Sequence, residues 1–313
     1  MSPEELSPNP IVSVIMPFLD TPVEFMDEAV GSVMAQGSPQ WELLLIDDGS
    51  GATATDAARR LAALDPLRIR CLEHEAHANR GISASRNLGL VHARGKYVAF
   101  LDADDTWFPS KLEEQIELME HHPSIGLLYG NTTYWHSWGG SRKEKLRDIV
   151  PRLGVRPGIV EDPLALLAGY VSGDAAVPCM CSVIMRREVV QRIGGWVDSF
   201  RGVYEDQVLY ARACVDGAVC VSERCWDRYR QWDDSSCAKA DRMGEVREAR
   251  HAFLLWLSTY LEEHKIQHRE LNLALSTELA DSDPSSGFAV DKVARYLRRR
   301  FRKLRGRVLD VTQ

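Results

Sequence analysis

Three carboxylates fall within four residues, Asp102, Asp104 and Asp105, directly after the apolar run 97–101. So crowded a set repels itself unless a cation or hydrogen-bond donors share the space. Oxygen donors alone favour a hard divalent ion, Mg2+ or Mn2+, and such ions arrive bridging substrate phosphates. A solvated acidic turn, with Asp105 or Thr106 capping the next helix, fits the same residues. Two further acidic pairs bear on the choice. Asp47 and Asp48 end a second apolar run, 41–46, and Glu205 and Asp206 open the stretch "EDQVLYARAC". At a helix start, the last pair would sit on the positive end of the helix dipole.

The elements around these acids explain how they would meet. "IVSVIM", 11–16, "WELLLI", 41–46, a run near 69–72 and the run 97–101 are apolar throughout, as buried strands are. Helical spacing predicts helices between them. One covers 22–36, with Phe25, Ala29, Val33 and Met34 on its apolar face. A second runs to Leu64, capped by Ser50 or Thr53. A third covers 82–93 and stops at Gly95, and a fourth starts near Pro109 and ends near His121. The alternation predicts an α/β fold: a Rossmann-like, mostly parallel, doubly wound sheet with helices on both faces. The acids at 47–48 and 102–105 then lie on one edge, at the strand C-termini where such sheets bind ligands.

Beyond Gly130 the pattern loosens into a strand, a polar loop over 141–148, a short helix at 163–169 and an apolar strand at 179–186. A helix over 204–214 and strands at 218–222 and 226–231 follow. From 243 the chain reads as helical, with a break at 281–287. Cys179 and Cys181 read as small core residues on one strand face rather than metal ligands. The predicted organisation is an N-terminal tail, 1–10, a main domain, 11–240, divided at about 130, and a helical extension, 241–313.

The chain has 313 residues, a net charge of −7, seven cysteines with no C-x2-C pair, and no apolar run long enough to span a bilayer. With no signal-peptide core at the N-terminus, a cytoplasmic setting is expected. Residues 292–307 carry nine Lys or Arg and no acid, so the body is strongly acidic and unsuited to nucleic acid.

"VSVIMPFLD", "WELLLIDDGS", "NRGISASRNLGLVHARGKYVAFLDADD" and "GGWVDSFRGVYEDQVLYAR" occur in an order and spacing that resembles a family 2 glycosyltransferase of the GT-A fold, over about residues 11–235. The resemblance implies inverting transfer of a sugar from a nucleotide-diphosphate donor, UDP by family frequency, to a carbohydrate or lipid-linked acceptor hydroxyl. It implies a Mn2+ or Mg2+ cofactor held by Asp104, with Asp102 on the metal or the ribose. Pro17, Asp47 and Asp48 would lie at the nucleobase and ribose. Arg86, ahead of Arg80, would meet the diphosphate beside a helix N-terminus. Asp206 would be the base, with Glu205 the runner-up.

The sequence departs from the pattern at Leu19 and Asp20, where an aromatic residue and Asn are common. Ala52 stands where Asp is usual. In "YRQWDDSS" Trp232 replaces a common His, so it would wall the acceptor or cover the donor, while Arg230 remains as a diphosphate contact. A nucleotidyltransferase would want a Gly-rich basic loop after the first strand, and "MPFLD" is not one. A non-catalytic GT-A-like scaffold would tolerate broken acids, and Asp102, Asp104 and Asp206 are present. Val290, Val293, Leu297, Phe301, Leu304 and Val308 form an apolar stripe amid arginines. A helix over 288–309 would therefore bind an anionic membrane, making the protein peripheral on its inner face, or pack on the body or a partner subunit as a homo-oligomer contact.

Overall fold

The computed structural model describes residues 10–282. Four strands, β1 (Val12–Phe18), β2 (Trp41–Asp47), β3 (Ile69–Glu73) and β4 (Tyr97–Phe100), alternate with helices α1 (Val23–Met34), α2 (Ala52–Ala62) and α3 (Ile82–His92). They pair in parallel in the order β3-β2-β1-β4. After β5 (Thr106–Trp107) and α4 (Lys111–His121) come β6 (Ile125–Trp135), α5 (Arg142–Lys145), β7 (Gly158–Ile159) and α6 (Pro163–Ser172). The chain continues through β8 (Ile184–Arg186), α7 (Arg187–Arg192), α8 (Glu205–Asp216), β9 (Ala218–Arg230), α9 (Ser236–Met243), α10 (Glu245–Glu263) and α11 (Arg269–Ser282). The nine-stranded sheet continues β4-β8-β6-β9-β5, with β7 also on β9. Its second half is mixed, since β8 runs antiparallel to both neighbours and β6 and β9 run parallel.

Alternate residues of the parallel strands feed two cores, as a strand buried on both faces requires. Ile15, Leu44, Val98 and Phe100 join Leu90, Val208, Phe253 and Leu271 on one face, whereas Val14, Leu43 and Ala99 meet Met26, Val30, Leu61 and Leu112 on the other. Helices α10 and α11 thus share the first core. Pro17 is tolerated in β1 because it lies past the last β1–β4 pair, Ile15↔Phe100.

Several sequence expectations change. The stretch 179–186 is a 3-10 turn, Met180–Ser182, before the short β8. The strands expected at 218–222 and 226–231 are one bulged strand, β9, because Gly130 lets its backbone pass close to β6. The buried face of α1 is Met26, Ala29, Val30 and Val33, leaving Met34 40% exposed and Phe25 turned to one side. Neither Ser50 nor Thr53 caps α2. The backbone N–H groups of Ser50 and Gly51 are taken by Asp47 and Asp20. The helical C-terminal part breaks at 264–268 as well, where Lys265 takes a φ of 55°. The N-terminal tail, most of the 281–287 break and the basic 288–309 segment lie outside the described residues.

Gly95 is a close approach rather than a helix stop. A Cβ there would lie 2.6 Å from the Ser13 nitrogen and 2.8 Å from both the Tyr97 oxygen and the Val12 carbonyl carbon. Those are backbone atoms of the central sheet and cannot step aside. Gly95→Ala should therefore lower stability by about 2 kcal/mol, in the range of overpacking a core. Urea denaturation checks this, and an unchanged midpoint would contradict it.

Candidate active site

The acidic loop leaves β4 and returns at once through a turn, with the Asp105 N–H donating to the Asp102 carbonyl at 3.0 Å. Asp105 is fully buried. It accepts from the Arg230 backbone N–H at 2.8 Å and from the Cys181 thiol at 3.0 Å. It caps no helix and instead ties the loop to β9. Burial pushes its carboxyl well above the usual range, and the charges of Asp104 and Asp102 push the same way.

Asp105, Cys179 and Cys181 have ligand atoms within 4.8 Å of one another. Burial, the hydrogen bond with Cys179 and the charge of Asp105 hold the Cys181 thiol far above its ordinary value. Protonated, it is a donor rather than a soft-metal ligand.

Asp102 and Asp104 remain half-buried and turn toward the edge of the sheet. Asp104 accepts at Oδ2 from the indole N–H of Trp232 at 2.7 Å. Burial first, then the nearby charge of Asp102, raises its pKa. A hard cation between these oxygens would relieve both effects, so the donor set fits Mg2+ or Mn2+.

Arg230 sits underneath, with no exposed surface. It donates from Nε to the Asp104 carbonyl at 2.6 Å and pairs with Glu28, and its guanidinium carbon lies 4.0 Å from the Phe25 ring centroid and 4.6 Å from that of Trp135. The sequence expectation places Arg230 at the diphosphate. In the structure its side chain is buried below the loop, where Nε serves the Asp104 carbonyl and Nη2 serves Glu28, while Nη1 has no hydrogen-bond partner among the described residues.

Arg86 lies on α3 and is 1% exposed. It donates to Asp102 Oδ1 at 2.9 Å and to Glu205 Oε1 at 2.8 Å. Burial alone would weaken its charge, but the two carboxylates outweigh burial and raise its pKa. It thus bridges the acidic loop to the start of α8, where the sequence reading had it meeting a diphosphate directly.

Glu205 is committed to that bridge. Asp206 is half-buried and accepts only from the adjacent Gln207 N–H, at 2.7 Å. Burial, followed by the charge of Glu205, lifts its pKa to about 7. Tyr204 directs both acids, with a left-handed φ of 73° at the helix start and its ring stacked on Phe253 of α10 at 5.6 Å.

The second acidic pair builds the neighbouring loop. Asp47 accepts from Ser50 N–H at 2.8 Å and Thr55 Oγ1 at 2.6 Å. Asp48 accepts from the backbone N–H groups of Arg80 at 2.7 Å and Gly81 at 3.0 Å. Both carboxylates are buried; Asp48 holds the 79–81 loop against the end of β2, while Asp47 ties down the start of α2. Arg80 is exposed, and α3 starts beside it with no side-chain cap.

Sequence reasoning missed the aromatic wall. Phe25 packs edge-on against Trp232 at 5.2 Å and against Trp138 at 5.3 Å. It also missed two fully buried ionisable residues, Lys111 and Asp227. Burial brings the Lys111 ammonium down to about 8 and the Asp227 carboxyl up to about 7. On sequence alone, Lys111 reads as a surface residue of α4.

Solved structures that share this fold are GT-A glycosyltransferases. Staphylococcus aureus TarS 1–349 in complex with UDP-GlcNAc superposes with a TM-score of 0.62 at 16% identity, over 94% of this chain and 81% of that one. The mannosyltransferase PcManGT of Pyrobaculum calidifontis, in complex with GDP-Man and Mn2+, superposes with a TM-score of 0.58 at 17% identity, over 96% and 86%. The chain belongs to Glycosyl transferase family 2, whose profile matches residues 13–194. WfgD of Escherichia coli, a UDP-Glc:alpha-D-GlcNAc-diphosphoundecaprenol beta-1,3-glucosyltransferase, is 36% identical over 122 residues, 39% of this chain. The matched stretch spans 45% of WfgD and 42% of TuaG, a Bacillus subtilis relative 39% identical over 111 residues.

The Arg86 bridge sets a testable cost. Arg86→Ala strands Glu205 without its partner and should cost about 3 kcal/mol, the lower end for breaking a buried pair, because the Asp102 side chain is 29% exposed. Arg86→Lys keeps the charge but not the two-armed reach, and should recover only part of the loss. Denaturation of both variants checks this, and full recovery in the lysine variant would contradict the bridge.

Proposed function

We propose that the chain is an inverting, metal-assisted glycosyltransferase that moves a sugar from a nucleoside-diphosphate donor, UDP by the frequency of the family, to an acceptor hydroxyl in polysaccharide or glycoconjugate synthesis. The Arg86 bridge carries this reading. It sets a carboxylate with a pKa near 7, Asp206, beside the half-open acids of the sheet edge. TarS bound to UDP-GlcNAc and PcManGT bound to GDP-Man and Mn2+ support a nucleotide-sugar donor on this fold.

Pro17 and the loops built by Asp47 and Asp48 form the nucleobase and ribose end of the donor site. The diphosphate lies toward the uncapped start of α3, whose free N–H groups suit an anion. Asp104 and Asp102 would hold a Mn2+ or Mg2+ ion, which would neutralise charge building on the departing diphosphate. Trp232 fixes the Asp104 carboxylate through its indole N–H. Asp206 takes the acceptor proton as the hydroxyl oxygen bonds the anomeric carbon opposite the leaving diphosphate. The carbon–diphosphate oxygen bond breaks in the same displacement, and the configuration inverts. Glu205 stays with Arg86, and its charge helps to raise the pKa of Asp206.

The decisive experiment is a thermal-shift screen of nucleotide-sugars with and without Mn2+. A donor that raises the melting temperature only with Mn2+ is expected, and Asp104→Asn should abolish that response. No metal-dependent response to any nucleotide-sugar would overturn the reading.

Asp206→Asn should retain donor binding and lose transfer by about 10²–10⁴-fold, the usual contribution of a positioned base. In the wild type, kcat/KM should rise with pH through an inflection near 7, because only the deprotonated carboxylate accepts the proton. The same raised pKa favours the protonated folded form. Its contribution to stability is therefore present below about pH 4, the unfolded value, and is lost as pH rises through 7. A flat profile, or transfer retained by Asp206→Asn, would move the base elsewhere.

A further inference from the structure

The stretch after β6 carries an unusual surface. Trp138, Leu146, Ile149 and Val150 are 37%, 88%, 47% and 43% exposed. Within the same projection Arg142, Lys143, Lys145, Arg147, Arg152 and Arg156 are all exposed, against two acids, Glu144 and Asp148. Asp148 faces inward, accepting from the N–H groups of His136 at 2.7 Å and Ser137 at 3.0 Å and from Ser137 Oγ at 2.6 Å. Four exposed apolar side chains and six exposed basic ones within 19 residues contrast with a chain of net charge −7.

The projection is fixed to the site. Ile149 exchanges backbone hydrogen bonds with Tyr134 at 2.8 and 3.3 Å. The Trp138 indole donates to the Gln231 carbonyl at 3.0 Å. Through Phe25, Trp138 touches Trp232, which holds Asp104.

We propose that residues 138–156 form a docking surface for an anionic lipid bilayer. Leu146, Ile149 and Val150 would enter the boundary between headgroups and acyl chains, while the surrounding Lys and Arg side chains meet lipid phosphates. Exposed apolar side chains interspersed with basic ones match the boundary of an anionic bilayer, where acyl chains take the apolar groups and lipid phosphates take the charges. Docked this way, the projection brings the acidic edge of the sheet to the membrane surface. An acceptor anchored in lipid would reach it there. The surface does not depend on the proposed chemistry, and its test reads binding alone.

The test is co-sedimentation of the full-length chain with vesicles, so that the basic 288–309 segment stays constant throughout. The wild type should sediment with phosphatidylcholine vesicles containing phosphatidylglycerol, less so as salt rises, and not with phosphatidylcholine alone. Leu146→Glu/Ile149→Glu should bind at least about tenfold more weakly. Lys143→Glu/Lys145→Glu/Arg147→Glu should lose about a hundredfold, since each basic residue contributes roughly fivefold at an anionic surface. Both variants change exposed side chains and should keep the wild-type melting temperature. Either variant binding like the wild type, or a wild type that ignores anionic vesicles, overturns the proposal. A concentration-dependent dimer lost in both variants, without vesicle binding, would instead make the surface a contact between copies.

Discussion

A buried guanidinium, that of Arg86, holds together two carboxylates from opposite halves of the chain: Asp102 on the loop after β4 and Glu205 at the start of α8. Burying a charge is unfavourable unless it is paired and hydrogen-bonded, and here one cation answers two anions through separate arms. Lysine could not do this, because its ammonium lacks the planar fork. The bridge also divides the labour between adjacent acids. Glu205 is hydrogen-bonded to Arg86. Asp206, one residue on, feels burial and the charge of Glu205 and is left poised near neutrality. The electrostatics of α8 therefore follow from a residue 119 positions earlier in the chain.

The acidic loop is supported from beneath by groups that never reach solvent. Asp105 is spent on the Arg230 backbone and the Cys181 thiol, and the Arg230 guanidinium donates to the Asp104 carbonyl and Glu28 and lies against aromatic faces. A loop carrying three acids would otherwise open to let water separate them. Taking Asp105 inward leaves two carboxylates at the edge, a number one divalent ion can satisfy.

The parallel half of the sheet was legible in the sequence because its strands are apolar on both faces and its helices keep strict spacing. The acids at the ends of β2 and β4 follow from that topology, as does the placement of Glu205 and Asp206 at a helix start. What the sequence hid were contacts between distant segments. Nothing local reveals that Arg86 and Arg230 are each buried among partners many residues away. Gly95 resembles a helix stop, although its constraint is the backbone of β1. The strand expected at 179–186 failed because Cys179 and Cys181, small and apolar, turn toward Asp105 rather than alternating along a ladder. β9 read as two strands because a bulge breaks its period.

Trp232 shows how one departure can reorganise a site's surroundings. An imidazole at this position could ligate a metal, whereas an indole offers a single N–H and no lone pair. That N–H is satisfied by Asp104, so the ring is fixed with its edge toward Phe25, and Phe25 in turn meets Trp138. The polar group at this position orients a carboxylate. Its apolar bulk starts a wall that runs from the acidic edge to the basic projection after β6. A charged site flanked by an apolar wall suits an acceptor with a polar end and an apolar one. The sugar hydroxyl would turn toward Asp206, and the remainder would lie along the aromatic side, toward whatever surface anchors it.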